Sequence, residues 1–342
     1  MKKHLIVATG LAVLSTGAFA SKARMQAMNQ GTTLGSYYMY DTRNIWRTPN
    51  ALNTNPEFVI TEWGNDQSAE GGFFNSSASV NYGVYLGADA LGNVQDGSTV
   101  TAQRFDVFAA GNSGMNWGAR LGYSSVMDDS SNEDSNGFDL SVSADLSGAN
   151  VWLTYVSGTD ATRAGQDEFN NDLALGATYG MGDHTLFGEY QSEGNQGDQD
   201  ASTTITVGAG RTMSMSDSAT VFYDVKLVST SNLDSDGDRA QDASGMMIPV
   251  TFGVESKATN WLTWRASLSQ SLYGTFEAAN GNEVTDERTI LGVGASLMYG
   301  NLQIDGTIAT AANGTLGYEG RTNNNNNEDQ DVMSNVSMTY TF

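Results

Sequence analysis

The chain has 342 residues with no cysteine, 39 glycines, three prolines, and 39 acidic against 16 basic residues, a formal charge of −23. Without cysteine there is no disulfide framework or thiol nucleophile, and two histidines, His4 and His184, argue against a multi-histidine metal centre. So acidic a balance also argues against a nucleic-acid surface, which needs a basic patch.

The first element is an address. Met1-Lys2-Lys3-His4 is basic, Leu5 to Leu14 is apolar, and Ala18-Phe19-Ala20 places small residues around a larger one. This is the layout of a secretory signal peptide cleaved after Ala20, giving residues 1–20 as the leader and Sec export as the expectation. The apolar run is too short to span the roughly 30 Å of a bilayer core as a helix.

Residues 21–78 form the next unit, expected to be a periplasmic segment or a lumen plug. Ser21 to Gln30 reads as a short helix. Arg43 and Arg47 carry two of the few cations, and Pro49 and Pro56 with the asparagines between them make the middle irregular. Phe58 to Trp63 reads as a strand that either pairs into a wall or lies inside it.

From residue 79 to 342 period two dominates. Leu262, Trp264, Ala266 and Leu268 alternate with Thr263, Arg265, Ser267 and Ser269, which a strand sends to opposite faces. The same split recurs in 115–123, 138–145, 219–227 and 248–255, with Phe222 breaking the pattern and Pro249 marking a bulge or strand end. Strands are predicted near 79–87, 101–110, 115–124, 137–146, 150–158, 172–180, 184–192, 203–212, 218–230, 245–256, 260–272, 288–299, 301–310 and 332–342. About fourteen strands of this length, with sixteen allowed if the N-terminal stretch joins them, describe an all-β, antiparallel transmembrane β-barrel.

The connections support that fold class. Short ones, such as 111–114, 147–149 and 181–183, alternate with long acidic ones at 128–135, 194–200, 232–242 and 319–331. Short periplasmic turns and long extracellular loops are the expected pattern of an outer-membrane barrel. A β-sandwich also alternates, but aromatics such as Tyr123, Tyr155, Tyr179, Tyr190, Trp264, Tyr299 and Tyr340 end the apolar sets as an interfacial girdle would.

The last strand, Val336-Ser337-Met338-Thr339-Tyr340-Thr341-Phe342, alternates into a terminal aromatic. It resembles the closing strand of Gram-negative outer-membrane proteins of the porin type. The resemblance implies that Phe342 is read by the barrel-assembly machinery. Asp41 to Trp46 and Phe58 to Gly64 look similar to the N-terminal portion of porin-like major outer-membrane proteins of predatory deltaproteobacteria. The family implies residence in the outer membrane beside lipid and lipopolysaccharide. Porins often form homo-oligomers, but no such contact can be read from one chain.

If the apolar sets face lipid, the alternate positions face inward. The candidate pore-lining set is Arg104, Asp106, Arg120, Asp139, Glu189, Asp224, Lys226, Glu255, Arg265 and Asp305, with Asn116 beside them. In an open barrel these would set an ion-selective field for small hydrophilic solutes or ions. In a narrow one they would form a closed ion-pair network. A porin-like diffusion channel without cofactor or covalent step is the leading expectation. The alternatives are a structural or plugged barrel and a hydrophobic-solute channel, the last calling for an apolar lumen pocket. Catalytic chemistry is thin, because His184 with Asp183 sits at a predicted turn without a nucleophile motif. Asp234, Asp236 and Asp238 open like a calcium loop. Arg239 stands where that loop needs glycine, so they are only a weak metal candidate.

Overall fold

The computed structural model describes residues 21–64, 67–88, 103–128, 133–161, 167–194, 201–233, 244–277, 283–285, 289–312, 315–316 and 335–342. The expected leader and the Asp234, Asp236 and Asp238 cluster lie outside them. Eighteen strands make one antiparallel sheet. In chain order they are β1 (Phe58–Gly64), β2 (Gln67–Ser76), β3 (Asn81–Leu86), β4 (Gln103–Asn112), β5 (Asn116–Asp128) and β6 (Glu133–Leu146). Next come β7 (Ala149–Ala161), β8 (Asp167–Met181), β9 (His184–Glu193), β10 (Ala201–Ser216), β11 (Ala219–Leu233) and β12 (Ser244–Lys257). The last are β13 (Leu262–Glu277), β14 (Glu283–Thr285), β15 (Thr289–Tyr299), β16 (Leu302–Ala312), β17 (Thr315–Leu316) and β18 (Asn335–Thr341).

β14 and β17 are short additions of three and two residues, and the other sixteen strands form the wall. Neighbours in sequence pair throughout, β13 passing to β15 and β16 to β18. The sheet closes where β1 meets β18, with Phe58 opposite Thr341 and Trp63 opposite Val336. Closure joins the two ends of the sheet, so among the described residues no strand of the wall is left as a terminal edge strand, as a membrane demands.

All fourteen predicted strands are present, and the wall gains β1 and β2. The wall therefore begins at Phe58 rather than at 79, a correction to the predicted boundary. The physical reason is closure. Without β1 and β2, β3 and β18 would face each other as unpaired edges. The β2 stretch escaped notice because Gly71 and Gly72 interrupt its alternation. The expected irregularity at Pro249 is a register shift between Met247 and Pro249, since proline gives the ladder no donor.

Alternation sets the two faces. Leu121, Phe138, Leu140, Leu175, Phe252 and Leu268 are exposed on the outside, while their neighbours Arg120, Asp139, Ser141 and Ser267 are buried inside. Phe222 breaks the pattern because it faces inward, 1% exposed, in a cluster with Met25, Met28 and Met39. Phe73 and the terminal Phe342 stack on the outer face at 5.7 Å.

Sixteen strands enclose a space too wide for wall side chains alone to fill. Residues 21–57 pack within it. Helix α1 (Lys22–Ala27) is capped by Ser21, whose hydroxyl accepts the Arg24 amide. Two 3-10 turns follow, Thr42–Trp46, capped by Asp41, and Pro49–Asn53, with proline at the start where its missing N–H is harmless. Contacts run around the barrel. Thr307 of β16 and Ser267 of β13 donate to the Ala23 and Ala27 carbonyls, at 2.8 and 2.7 Å. The Asn50 amide donates to Ser143 of β6 at 2.9 Å, and Asn53 bonds the Gly111 and Trp117 carbonyls at the rim.

One wall glycine records how closely the segment approaches. A Cβ on Gly118 would stand 2.1 Å from the Asn50 amide nitrogen and 2.3 Å from the Pro49 carbonyl carbon, both backbone atoms that cannot step aside. Gly118→Ala is expected to lower the unfolding free energy in detergent by about 1–3 kcal/mol. Gly180→Ala, with nothing within 4 Å, is the matched control and should change little. Equal midpoints in urea titrations would contradict the tight seating.

Candidate functional site

The inward charges of the wall and the cations of residues 21–57 form one set of buried ion pairs. Glu62 of β1 and Glu70 of β2 are its centre, both inward by the register that pairs them across the ladder. Arg43 Nη1 lies 2.9 Å from Glu62 Oε2 and 2.9 Å from Glu70 Oε1, with side chains almost wholly excluded from solvent. Its remaining donors reach the Thr32 and Thr33 carbonyls at 3.0 and 3.2 Å. Lys22 Nζ pairs with Glu70 at 2.8 Å, the Lys22 amide donates to Glu62 at 2.6 Å, and Tyr85 donates to both carboxylates.

Two further arginines carry the pairing to other strands. Arg24 bridges Asp41 at 3.0 Å and Glu255 of β12 at 2.9 Å. Glu255 is shared with Arg265 of β13, which also holds Asp305 of β16 at 3.0 Å. Arg47 pairs with Glu189 of β9 at 3.2 Å and lies 3.8 Å over the Tyr37 ring, which stacks on Phe187. Glu189 also accepts from the Tyr37 hydroxyl and the Trp152 indole at 2.8 and 3.0 Å. Asp224 accepts from Tyr38 and Gln30 at 2.8 and 2.9 Å. Burial pushes the Asp41 carboxyl up to about 7, against the opposing pull of Arg24 and of the Arg43 amide.

A separate group lies within the wall. Arg104 donates to Asp106 through Nε and Nη2 at 2.9 and 2.8 Å and also pairs with Asp139. Arg120 reaches Asp106 at 3.1 Å, pairs with Asp139, and bonds Ser141. Trp46 covers Arg120, 5.1 Å from its guanidinium carbon. The same indole meets Tyr85 and Phe108 edge-on at 5.0 and 5.2 Å, in an apolar cluster with Ile45, Leu52, Phe58, Ile60 and Phe74.

All ten candidate pore-lining residues occupy inward positions. Arg104, Asp106, Arg120, Asp139, Glu189, Asp224, Arg265 and Asp305 are buried by protein, while Glu255 and Lys226 are partly exposed. Lys226 sits 3.4 Å from Asp224. The structure splits the set: four pair with each other across β4, β5 and β6, whereas Glu189, Asp224 and Glu255 hold residues 21–57. Asn116 bonds Asp145 at 2.6 Å beside Asn53. Glu62 and Glu70 were missed as interior groups, although Glu62 shares parity with Phe58 and Ile60, which could have marked the inner face. His184 pairs with Tyr223 at 2.8 Å and Asp183 with Arg211 at 2.7 Å, so the two do not meet as a catalytic pair. Among the described residues no group of three or more His, Asp or Glu could hold a metal, and no helix is long and apolar enough to cross a membrane.

No family model matches the sequence, and no curated protein matches it either. Solved structures do. A bacterial polysaccharide outer membrane secretin is 12% identical, with 84% of this chain and 98% of that chain covered and a TM-score of 0.54. A Rh. blastica porin mutant is 13% identical, covering 84% and 99%, at a TM-score of 0.37. The TodX deltaS2S3 mutant monoaromatic hydrocarbon channel is 12% identical, covering 95% and 100%, at a TM-score of 0.40. The first, a secretin of the outer membrane, shares the fold with this chain, a closed antiparallel β-barrel.

Proposed function

We propose that this protein is a plugged outer-membrane channel, exported by Sec with loss of residues 1–20, in which residues 21–57 close the lumen at rest. Ions and small hydrophilic solutes pass when that segment shifts. The observation that carries the reading is the pairing of Lys22, Arg24, Arg43 and Arg47 with carboxylates of β1, β2, β9 and β12. A lumen packed only for stability could be filled by apolar residues at equal or lower cost. Ion pairs between a separable segment and a polar wall leave a wettable passage behind when they part. The likeness of Asp41 to Trp46 and Phe58 to Gly64 to the deltaproteobacterial proteins fits this, since these stretches supply Asp41, Arg43 and Glu62. Phe342 serves as the assembly signal.

Solute flux tests the reading. Liposomes carrying the mature protein should swell slowly in arabinose, and liposomes carrying the chain without residues 21–57 should swell at least tenfold faster. Equal, slow swelling of both would favour a structural barrel with no path for solutes.

A further inference from the structure

The buried ion pairs fall into sets, and all but one of them balance. Arg104 and Arg120 face Asp106 and Asp139, Arg47 faces Glu189, and Lys226 faces Asp224. The set around Glu62 does not balance. Its cations are Lys22, Arg24, Arg43 and Arg265, and its carboxylates are Asp41, Glu62, Glu70, Glu255 and Asp305. The Arg43 amide, donating to Asp41 at 2.8 Å, ties its two halves together. Among the described residues this set is one positive charge short. A buried carboxylate without a counter-charge is costly to keep ionised. Asp41 registers the shortfall: burial pushes it up to about 7 against the pull of Arg24, which also serves Glu255.

One residue sits where a fifth cation is wanted. Ser21 is fully buried. Its hydroxyl and carbonyl accept the Arg24 and Met25 amides at 3.2 and 2.9 Å, and its nitrogen has no partner among the described residues. The next nitrogen along, that of Lys22, donates to Glu62 Oε1 at 2.6 Å. Adjacent backbone nitrogens are at most about 3.7 Å apart, so the Ser21 nitrogen lies within roughly 6 Å of that carboxylate. Opposite charges act strongly on each other over such a distance away from water.

We propose that removal of the leader supplies the missing charge, as the α-ammonium of Ser21 set against Glu62, and so fastens residues 21–57 in the lumen. This rests on the reading above, in which residues 1–20 are lost on export. Hydrolysis of the Ala20–Ser21 peptide bond consumes one water and leaves a carboxylate on Ala20 and an amine on Ser21. An amide nitrogen carries no charge, whereas an α-amine beside a carboxylate is protonated at neutral pH. Five cations then meet five carboxylates. The cut that frees the chain also seats its lumen segment, and an unprocessed chain holds that segment loosely.

The mature chain, begun at Ser21 and refolded in detergent, is to be compared with the same chain acetylated on its α-amine, which removes the charge and adds little bulk. Proteolysis of residues 21–57 is the readout, and heat-modified gel mobility confirms that each barrel is folded. Acetylation should speed the cutting at least about tenfold. In Glu62→Gln acetylation should no longer speed it, because four cations then meet four carboxylates. Equal rates for the wild-type chain with and without the acetyl group overturn the proposal. So does an acetyl effect of undiminished size in Glu62→Gln, which would reflect bulk rather than charge. The intact mass of the protein taken from outer membranes reads the leader cut separately. A start other than Ser21 sinks that reading and the proposal with it, whereas a start at Ser21 with equal cutting rates sinks the proposal alone.

Discussion

Arg43→Met is expected to be the most damaging single substitution in the lumen. It leaves Glu62 and Glu70, both almost fully buried, facing each other with only Lys22 to neutralise them. Removing one partner of a buried pair typically costs about 3–5 kcal/mol, mostly the penalty of stranding the other charge. The Thr32 and Thr33 carbonyls lose their donors as well. A lower urea midpoint of the detergent-solubilised barrel is therefore expected, together with easier proteolysis of residues 21–57. Adding Glu62→Gln alone should restore much of the loss, because Lys22 then balances Glu70 and no uncompensated charge remains. An unchanged midpoint for Arg43→Met would contradict the buried triad.

Asp106→Ala is the second large effect, with a different signature. Asp106 is fully buried and accepts from both Arg104 and Arg120. Its loss leaves two guanidiniums sharing Asp139, again at a cost of about 3–5 kcal/mol. Because this quartet belongs to β4, β5 and β6, the deficit should persist in the barrel lacking residues 21–57. Adding Arg120→Met to Asp106→Ala should recover part of the loss. If Asp106→Ala instead altered only flux, Asp106 would belong to a solute path rather than to the wall.

The wall was legible because the signal is physical and local. A strand between lipid and a polar interior must alternate, as in Leu262 to Ser269, and the membrane thickness fixes its length. Even the two irregularities noticed in the sequence, Pro249 and Phe222, mark real departures: a register shift and an inward aromatic packed on Met25. Which residues point inward followed from the same parity, so the ten candidates could be placed before any contact was known. What lies against them could not. Arg24 and Glu255 are 231 positions apart, and Arg47 and Glu189 are 142 apart. No period links a residue of an irregular segment to its partner on a strand. β2 stayed hidden for a related reason: glycines that let the wall thin beside β3 also erase the alternation that identifies a strand.

Single-channel conductance in a planar bilayer, comparing the mature chain with the same chain lacking residues 21–57, tests the central claim most directly. The account predicts a closed baseline with rare brief openings for the mature chain, and large, steady, discrete steps for the shortened barrel. Steady conductance of the same size from both would contradict it, because the lumen would then be open with the segment in place.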